Sequence, residues 1–306
     1  MFHLYKKRNF NALVNDTFGF IKVNGRNYFG NFFLINGGLM LVLMLLVFLI
    51  SRIFFKGLFT GMGSPQGQAM LRNYFDEDMG LFVGALVIML IVLLLLSMIT
   101  ASFPVIYLDL TAKGQQPTAK LIIKGIKARL GRIILFGLGS LITFLPIGLL
   151  LGMLSGLLVI ILIGIPIGFV VMSTLACWSL LALYDNLGDE RNFFTAFKNG
   201  AGMLFSNFWA HMGTTAIFLV IWFAIQLTFT LLASAASSFF YYITGEFDVT
   251  GISIISIVLF ILSLGMNYFF TSIFMLAHGM IYYSCKENDE HKTLYSEIDQ
   301  IGSGIE

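Results

Sequence analysis

The stretch "IILFGLGSLITFLPIGLLLGMLSGLLVIILIGIPIGFVVMSTLACWSLLALY", residues 133–184, contains no Asp, Glu, Lys or Arg. About 20 apolar residues cross a hydrocarbon layer roughly 30 Å thick, so this run is too long for one membrane span and suits two. The tight turn between them falls at "MLSGLL", residues 153–158, with Gly156 as the turn residue. Residues 133–154 and 157–184 therefore read as adjacent spans.

The same criterion, carried outward, marks four more spans at residues 32–55, 80–108, 208–235 and 252–284. The fold class is an all-α integral membrane protein with six transmembrane helices. Composition agrees: 58% of the residues are hydrophobic and 11% charged, against roughly 45–50% and 25% in a soluble globular domain. The polar intervals are too short to bury a separate core, so residues 1–306 read as one polytopic membrane domain with a short cytoplasmic tail at 286–306. The amino terminus "MFHLYKKRNFNALVND" is basic but lacks the apolar segment and small-residue site of a cleaved signal peptide. Cys177 and Cys285, both in apolar surroundings, suggest neither a disulfide framework nor a zinc pattern.

Lysine and arginine set the orientation, because cytoplasmic loops carry the positive excess. With the amino terminus inside, the cytoplasmic segments hold Lys6, Lys7, Arg8, Lys22, Arg26, Lys113, Lys120, Lys124, Lys127, Arg129, Arg132, Arg191, Lys198, Lys286 and Lys292. Only Arg52, Lys56 and Arg72 fall outside, beside the acidic segments "FDED" at 75–78 and "TGEFDVT" at 244–250. Both termini are expected in the cytoplasm, and the compact loops and strong charge bias point to a bacterial plasma (inner) membrane. Pro104, Pro146 and Pro166 each remove a backbone donor within a span and are expected to kink it.

One pattern occurs twice. "YFGNFFLING" at 28–37 matches "LFSNFWAHMG" at 204–213, pairing Asn31 with Asn207, Phe32 with Phe208, Phe33 with Trp209 and Gly37 with Gly213. Upstream of each, apolar residues recur at helical spacing: Phe10, Leu13, Val14, Thr17, Phe18 and Ile21, then Phe193, Phe197, Ala201, Leu204 and Phe208. The expectation is an amphipathic helix at the membrane interface, an Asn where the backbone leaves water, and aromatic residues anchoring at the headgroup level before the Gly enters the span. A third copy in "TAKLIIKGIKARLGRIILFG" aligns Ile122, Ile126, Leu130 and Ile133 on one face. The chain then divides into three units of amphipathic helix plus two spans, and "TLYSEIDQIG" offers one more face in Leu294, Ile298 and Ile301. Internal duplication and the general preference of aromatic and cationic residues for the interface both account for this pattern.

The segment "IPIGFVVMSTLACWSLLALYDNLGDERNFFTAFKNGAGMLFSNFW", residues 165–209, resembles a bacterial six-span membrane superfamily that includes YciC-type proteins and the membrane domain of glycerophosphoryl diester phosphodiesterases. In that superfamily an Ile-Pro begins a helix ending in a short acidic turn, followed by an amphipathic helix and an Asn-Phe-Trp-like start of the next span. Such a phosphodiesterase carries its catalytic residues in a soluble barrel, and this chain has no such segment. The resemblance implies the membrane half without the enzyme.

No phosphate-binding loop, nucleophile elbow or His-Glu-x-x-His motif occurs, and no charge lies mid-span, which counts against proton- or ion-coupled transport. A polar layer lies near the cytoplasmic ends of the helices: Asn31, Asn36, Asp109, Asp185, Asn207, His211 and His278. His211 and His278 are expected at similar depth. With Asp109 or Asp185 they would compose a two-histidine, one-carboxylate metal site, set against the ordinary role of interfacial His and Asp as solvated or helix-capping groups. Gln226 and Asn267 read as interhelical hydrogen-bond partners. The expected function is a non-catalytic integral membrane protein that organises a membrane complex or the cytoplasmic leaflet, with the lipid bilayer and a membrane or cytoplasmic protein as partners, no nucleic acid and no cofactor. A transporter or flippase for a lipid-like or apolar small molecule is the alternative, since transporters are often built from repeats.

Overall fold

The computed structural model describes residues 2–61, 65–159, 164–244 and 249–290. Every element among them is helical: α1 (Phe10–Gly61), α2 (Pro65–Ala112), α3 (Ala119–Ala128), α4 (Leu130–Val159), α5 (Gly164–Gly188), α6 (Phe193–Ser206), α7 (Phe208–Thr244) and α8 (Val249–Glu290). Six of these, α1, α2, α4, α5, α7 and α8, are long and apolar enough to cross a membrane. The protein is an all-α integral membrane protein. Helices suit this composition because each satisfies its backbone hydrogen bonds internally, where lipid offers none. Their outward faces are apolar: on α4, Ile142 and Met153 are each 75% exposed.

Local chemistry sets the breaks. After α2, Gly114 takes the left-handed φ of +72°, and Thr118 caps α3 by accepting from the Leu121 amide. A single residue, Arg129, separates α3 from α4, and a single residue, Asn207 (φ −151°, ψ 64°), separates α6 from α7. Asn192 caps α6 by accepting from the Thr195 amide at 2.9 Å.

Several expectations are corrected here. The first "YFGNFF" copy is no boundary, because α1 runs unbroken from Phe10 to Gly61 through both Asn31 and Gly37. At 52 residues and 1.5 Å each, α1 is about 78 Å long. Only the second copy, at Asn207, separates two helices. The helix expected to carry Ile122, Ile126, Leu130 and Ile133 on one face ends at Ala128, so Leu130 and Ile133 belong to α4. Gly156 lies within α4, which continues to Val159, so it is not a turn residue; residues 160–163 lie outside the described residues. Pro104 and Pro146 do lie inside α2 and α4. Pro166 is the third residue of α5, and residues 160–163 before that helix lie outside the described residues. The segment "TLYSEIDQIG" and the central residues of "TGEFDVT" lie outside the described residues.

The chain divides into two compact units: Met1–Ile35, Met98–Val220 and Thr271–Glu306 form the first, and Asn36–Ser97 with Ile221–Phe270 the second. The first has an aromatic core of Phe20, Tyr28, Phe103 and Tyr107. Tyr28 and Tyr107 meet edge-on at 4.9 Å, and the Tyr28 hydroxyl donates to the Ser272 carbonyl at 3.0 Å. In the second, the Trp222 indole donates to Asn267 Oδ1 at 3.2 Å and Ser263 donates to Gln226 Oε1 at 3.3 Å. Gln226 and Asn267 are thus interhelical hydrogen-bond partners, as their types suggest.

Candidate functional site

The polar residues of the first unit gather into two centres. One forms where α5, α6, α7 and α8 meet. Thr215 of α7 stands at its middle, its Oγ1 lying 3.0 Å from both the His211 carbonyl and His278 Nε2. The buried Cys177 thiol of α5 lies beside Thr215. His278 Nδ1 lies 2.8 Å from the Phe274 carbonyl and His211 Nδ1 lies 3.0 Å from the Met203 carbonyl. A carbonyl only accepts, so both rings carry a proton on Nδ1; a neutral His278 then accepts at Nε2, and the one Thr215 proton goes either to that nitrogen or to the His211 carbonyl. His278 Nε2 faces Thr215, and His211 Nε2 faces the Cys285 sulfur at 3.9 Å. All five side chains are buried.

The second centre forms at the end of α5. Asp185 has a fully buried side chain and accepts from Asn199 of α6 at 2.8 Å through one oxygen. Its other oxygen has no hydrogen-bond partner and lies 3.7 Å from Arg191 Nε. The neighbouring Asn186 donates to the Arg191 carbonyl at 2.8 Å, while its own Oδ1 has no partner. Asp189 receives the Tyr282 hydroxyl at 2.9 Å and pairs with Lys286 of α8 and with Arg191. Burial alone would push the Asp189 carboxyl upward, but the hydrogen bonds from Lys286 and Tyr282 and the charges of Lys286 and Arg191 hold it below its ordinary value. Glu190 takes a left-handed φ of 55°, a conformation costing about 1–2 kcal/mol for a residue with a side chain. Its carboxylate lies between Arg129 and Arg132, at 3.6 and 3.4 Å.

These positions answer the sequence expectations one by one. His278 lies level with Thr215, one helical turn along α7 from His211, whose own ring turns to the Met203 carbonyl and the Cys285 sulfur. The two carboxylates proposed alongside them go elsewhere: Asp109 pairs with Arg129 at 2.8 Å and Lys113 at 2.9 Å, and Asp185 with Asn199 and Arg191. Among the described residues no three His, Cys, Asp or Glu side chains converge as a metal ion requires. Asn31 donates to the Asn27 carbonyl at 2.9 Å, whereas Asn207 is exposed. Phe33 and Trp209 are exposed, as anchoring residues would be. Phe32 is fully buried, packing edge-on against Phe103 at 5.4 Å, so it does not anchor at a surface. Phe208 is half-buried and stacks on Phe205 at 5.7 Å. Gly37 has open space where a side chain would project, and Gly213 would meet the Phe10 ring at 3.2 Å.

Arg8 was visible in the sequence only as one more cation. In the structure its side chain is fully buried. It donates to Asp16 at 2.8 Å and to the carbonyls of Leu4, Lys6 and His3 at 2.7, 3.1 and 2.9 Å. Its own amide donates to Ser284 of α8 at 2.9 Å. A polar residue eight positions downstream of an arginine is too common a pattern to have singled this clamp out.

In both centres the polar atoms serve mainly to join one helix to another. The chain matches no family model, no curated protein and no solved structure with which it was compared.

Proposed function

We propose that this chain is a non-catalytic integral membrane protein that organises a membrane complex or the cytoplasmic leaflet of a bacterial inner membrane, with both termini in the cytoplasm. The carrying observation is the outward face of α6. At 100° per residue, Phe194, Lys198 and Phe205 share one face of the helix and are all exposed, while Ala196, Gly200, Met203 and Leu204 are buried on the other. Phe194 is 78% exposed, and Trp209, just past the Asn207 break, 74%. Aromatic rings with a cation among them, one residue before a spanning helix, suit a helix lying at headgroup depth.

Two further features support this role. The buried His, Cys and Asp side chains brace neighbouring helices through specific hydrogen bonds, so the bundle offers a stiff platform. The likeness of residues 165–209 to the superfamily of YciC-type proteins and phosphodiesterase membrane domains supports a membrane-organising role. The partners are then the bilayer itself and a membrane or cytoplasmic protein.

Purification of the full chain from its native membrane in mild detergent, followed by mass measurement of the complex, tests the proposal. A stoichiometric protein partner is expected. A chain that purifies alone and moves labelled lipid across proteoliposomes would replace the scaffold with a transporter.

A further inference from the structure

The cations of the first unit fall into two classes. Lys6, Arg8, Lys113, Arg129, Arg132, Arg191 and Lys286 each pair with a carboxylate. Lys7, Lys22, Arg26, Lys120, Lys124, Lys127 and Lys198 pair with none among the described residues, and of these Lys120, Lys124 and Lys127, all exposed, stand together on α3. The sequence of α3, "AKLIIKGIKA", has no acidic residue. Spacings of four and three place the three lysines within an arc of about 60° on a helix of 3.6 residues per turn. Ile122 and Ile126, the buried residues of α3, lie on the opposite side. The lysine stripe therefore faces away from the protein, flanked by the partly exposed apolar side chains of Leu121 and Ile123.

We infer that the Lys120, Lys124 and Lys127 stripe is a binding surface for anionic phospholipid headgroups. The inference rests on the proposed leaflet-organising role and names its ligand. Charge complementarity calls for an anionic occupant, and the chain connection favours lipid over a soluble acidic protein. Only Arg129 separates α3 from α4, whose exposed Leu130, Ile134 and Leu135 begin the lipid-facing surface at once. Arg129 is itself held by Asp109 at 2.8 Å, and Gly125 lies close against Ile106 of α2, where an added Cβ would be only 2.7 Å from that side chain. So α3 is fixed at the start of a span, where its lysine stems extend over apolar surface while their ammonium groups reach phosphate.

Native mass spectrometry of the full chain in a neutral detergent tests this, with phosphatidylglycerol and phosphatidylcholine titrated separately. Each lysine near an anionic surface is worth about a fivefold gain, and with partial engagement K120Q/K124Q/K127Q is expected to lose about tenfold in phosphatidylglycerol affinity. Its phosphatidylcholine affinity and its thermal transition stay at wild-type values, since the replaced side chains are exposed. The corresponding triple arginine variant keeps the preference, and raising the salt to about 1 M, where the screening length falls to roughly 3 Å, removes it. Phosphatidylglycerol affinity within twofold of wild type in the glutamine variant overturns the inference. So does an equal loss for both lipids, or tighter, stripe-dependent binding of a polyglutamate peptide, which would assign α3 to an acidic protein. Failure to find a protein partner would sink the scaffold while leaving this lipid preference standing, and loss of the preference would leave the scaffold standing.

Discussion

Replacing Arg8 by Met keeps an unbranched apolar stem and removes the guanidinium. Four hydrogen bonds go with it: one to Asp16 at 2.8 Å and three to the carbonyls of Leu4, Lys6 and His3. Breaking a fully buried ion pair by deleting one partner costs about 3–5 kcal/mol. The present cost is lower, because the Asp16 side chain is 23% exposed and Lys6 stands 3.4 Å away as a second cation. About 2–3 kcal/mol follows, or roughly a 30- to 150-fold rise in the opening equilibrium of residues 2–9 at 1.4 kcal/mol per tenfold. The segment does not detach outright, since Tyr5 still packs edge-on against Tyr283 at 5.2 Å. Hydrogen exchange measured by mass spectrometry over residues 2–9 and the end of α8 reads the change directly. Arg8→Lys, with one charge and no planar fork, falls between wild type and Arg8→Met. Exchange in Arg8→Met within threefold of wild type would refute the clamp.

Three further perturbations probe the packing and the polar centres. A Cβ on Gly200 would stand 2.7 Å from the backbone nitrogen of Ala182 and 2.9 Å from its Cβ, so Gly200→Ala is expected to destabilise by about 1–3 kcal/mol. Gly202→Ala, where nothing lies within 4 Å, is neutral or stabilising; thermal unfolding in detergent compares the two. Because the Asp189 carboxyl lies below its ordinary value in the folded protein, its contribution to stability is present above the unfolded value of about 3.9 and is lost as pH falls through the folded value. The stability gap between wild type and Asp189→Asn should therefore narrow below about pH 4, and a gap that widens there contradicts the assignment. In the second unit, Asn267→Leu removes the acceptor of the Trp222 indole and is expected to cost about 0.6 kcal/mol, the average for an interhelical hydrogen bond in a membrane protein, as read by reversible unfolding in mixed micelles.

What was legible in the sequence is what the bilayer enforces. A charge-free run from Ile133 to Tyr184 must cross and return, because lipid solvates neither charges nor open backbone, and this holds whatever the neighbouring helices do. The interhelical roles of Gln226 and Asn267 follow from the same rule.

Tertiary structure decided the rest. "YFGNFF" and "LFSNFW" look alike, yet α1 passes through the first as a continuous helix while the second is broken at Asn207. The difference lies in surroundings the local sequence does not contain. Phe32 and Tyr28 are buried against Phe103 and Tyr107 of α2, whereas Phe205, Asn207 and Trp209 are exposed. The fate of each cation was equally hidden: Arg8 and Lys120 look alike in a charge count, but one is enclosed by Asp16 and three carbonyls and the other faces outward from α3. The need to keep charge out of hydrocarbon is local and acts on every residue of a span, so sequence records it. Which polar group answers which depends on residues up to 276 positions apart, as between Arg8 and Ser284, and only the folded bundle brings them together.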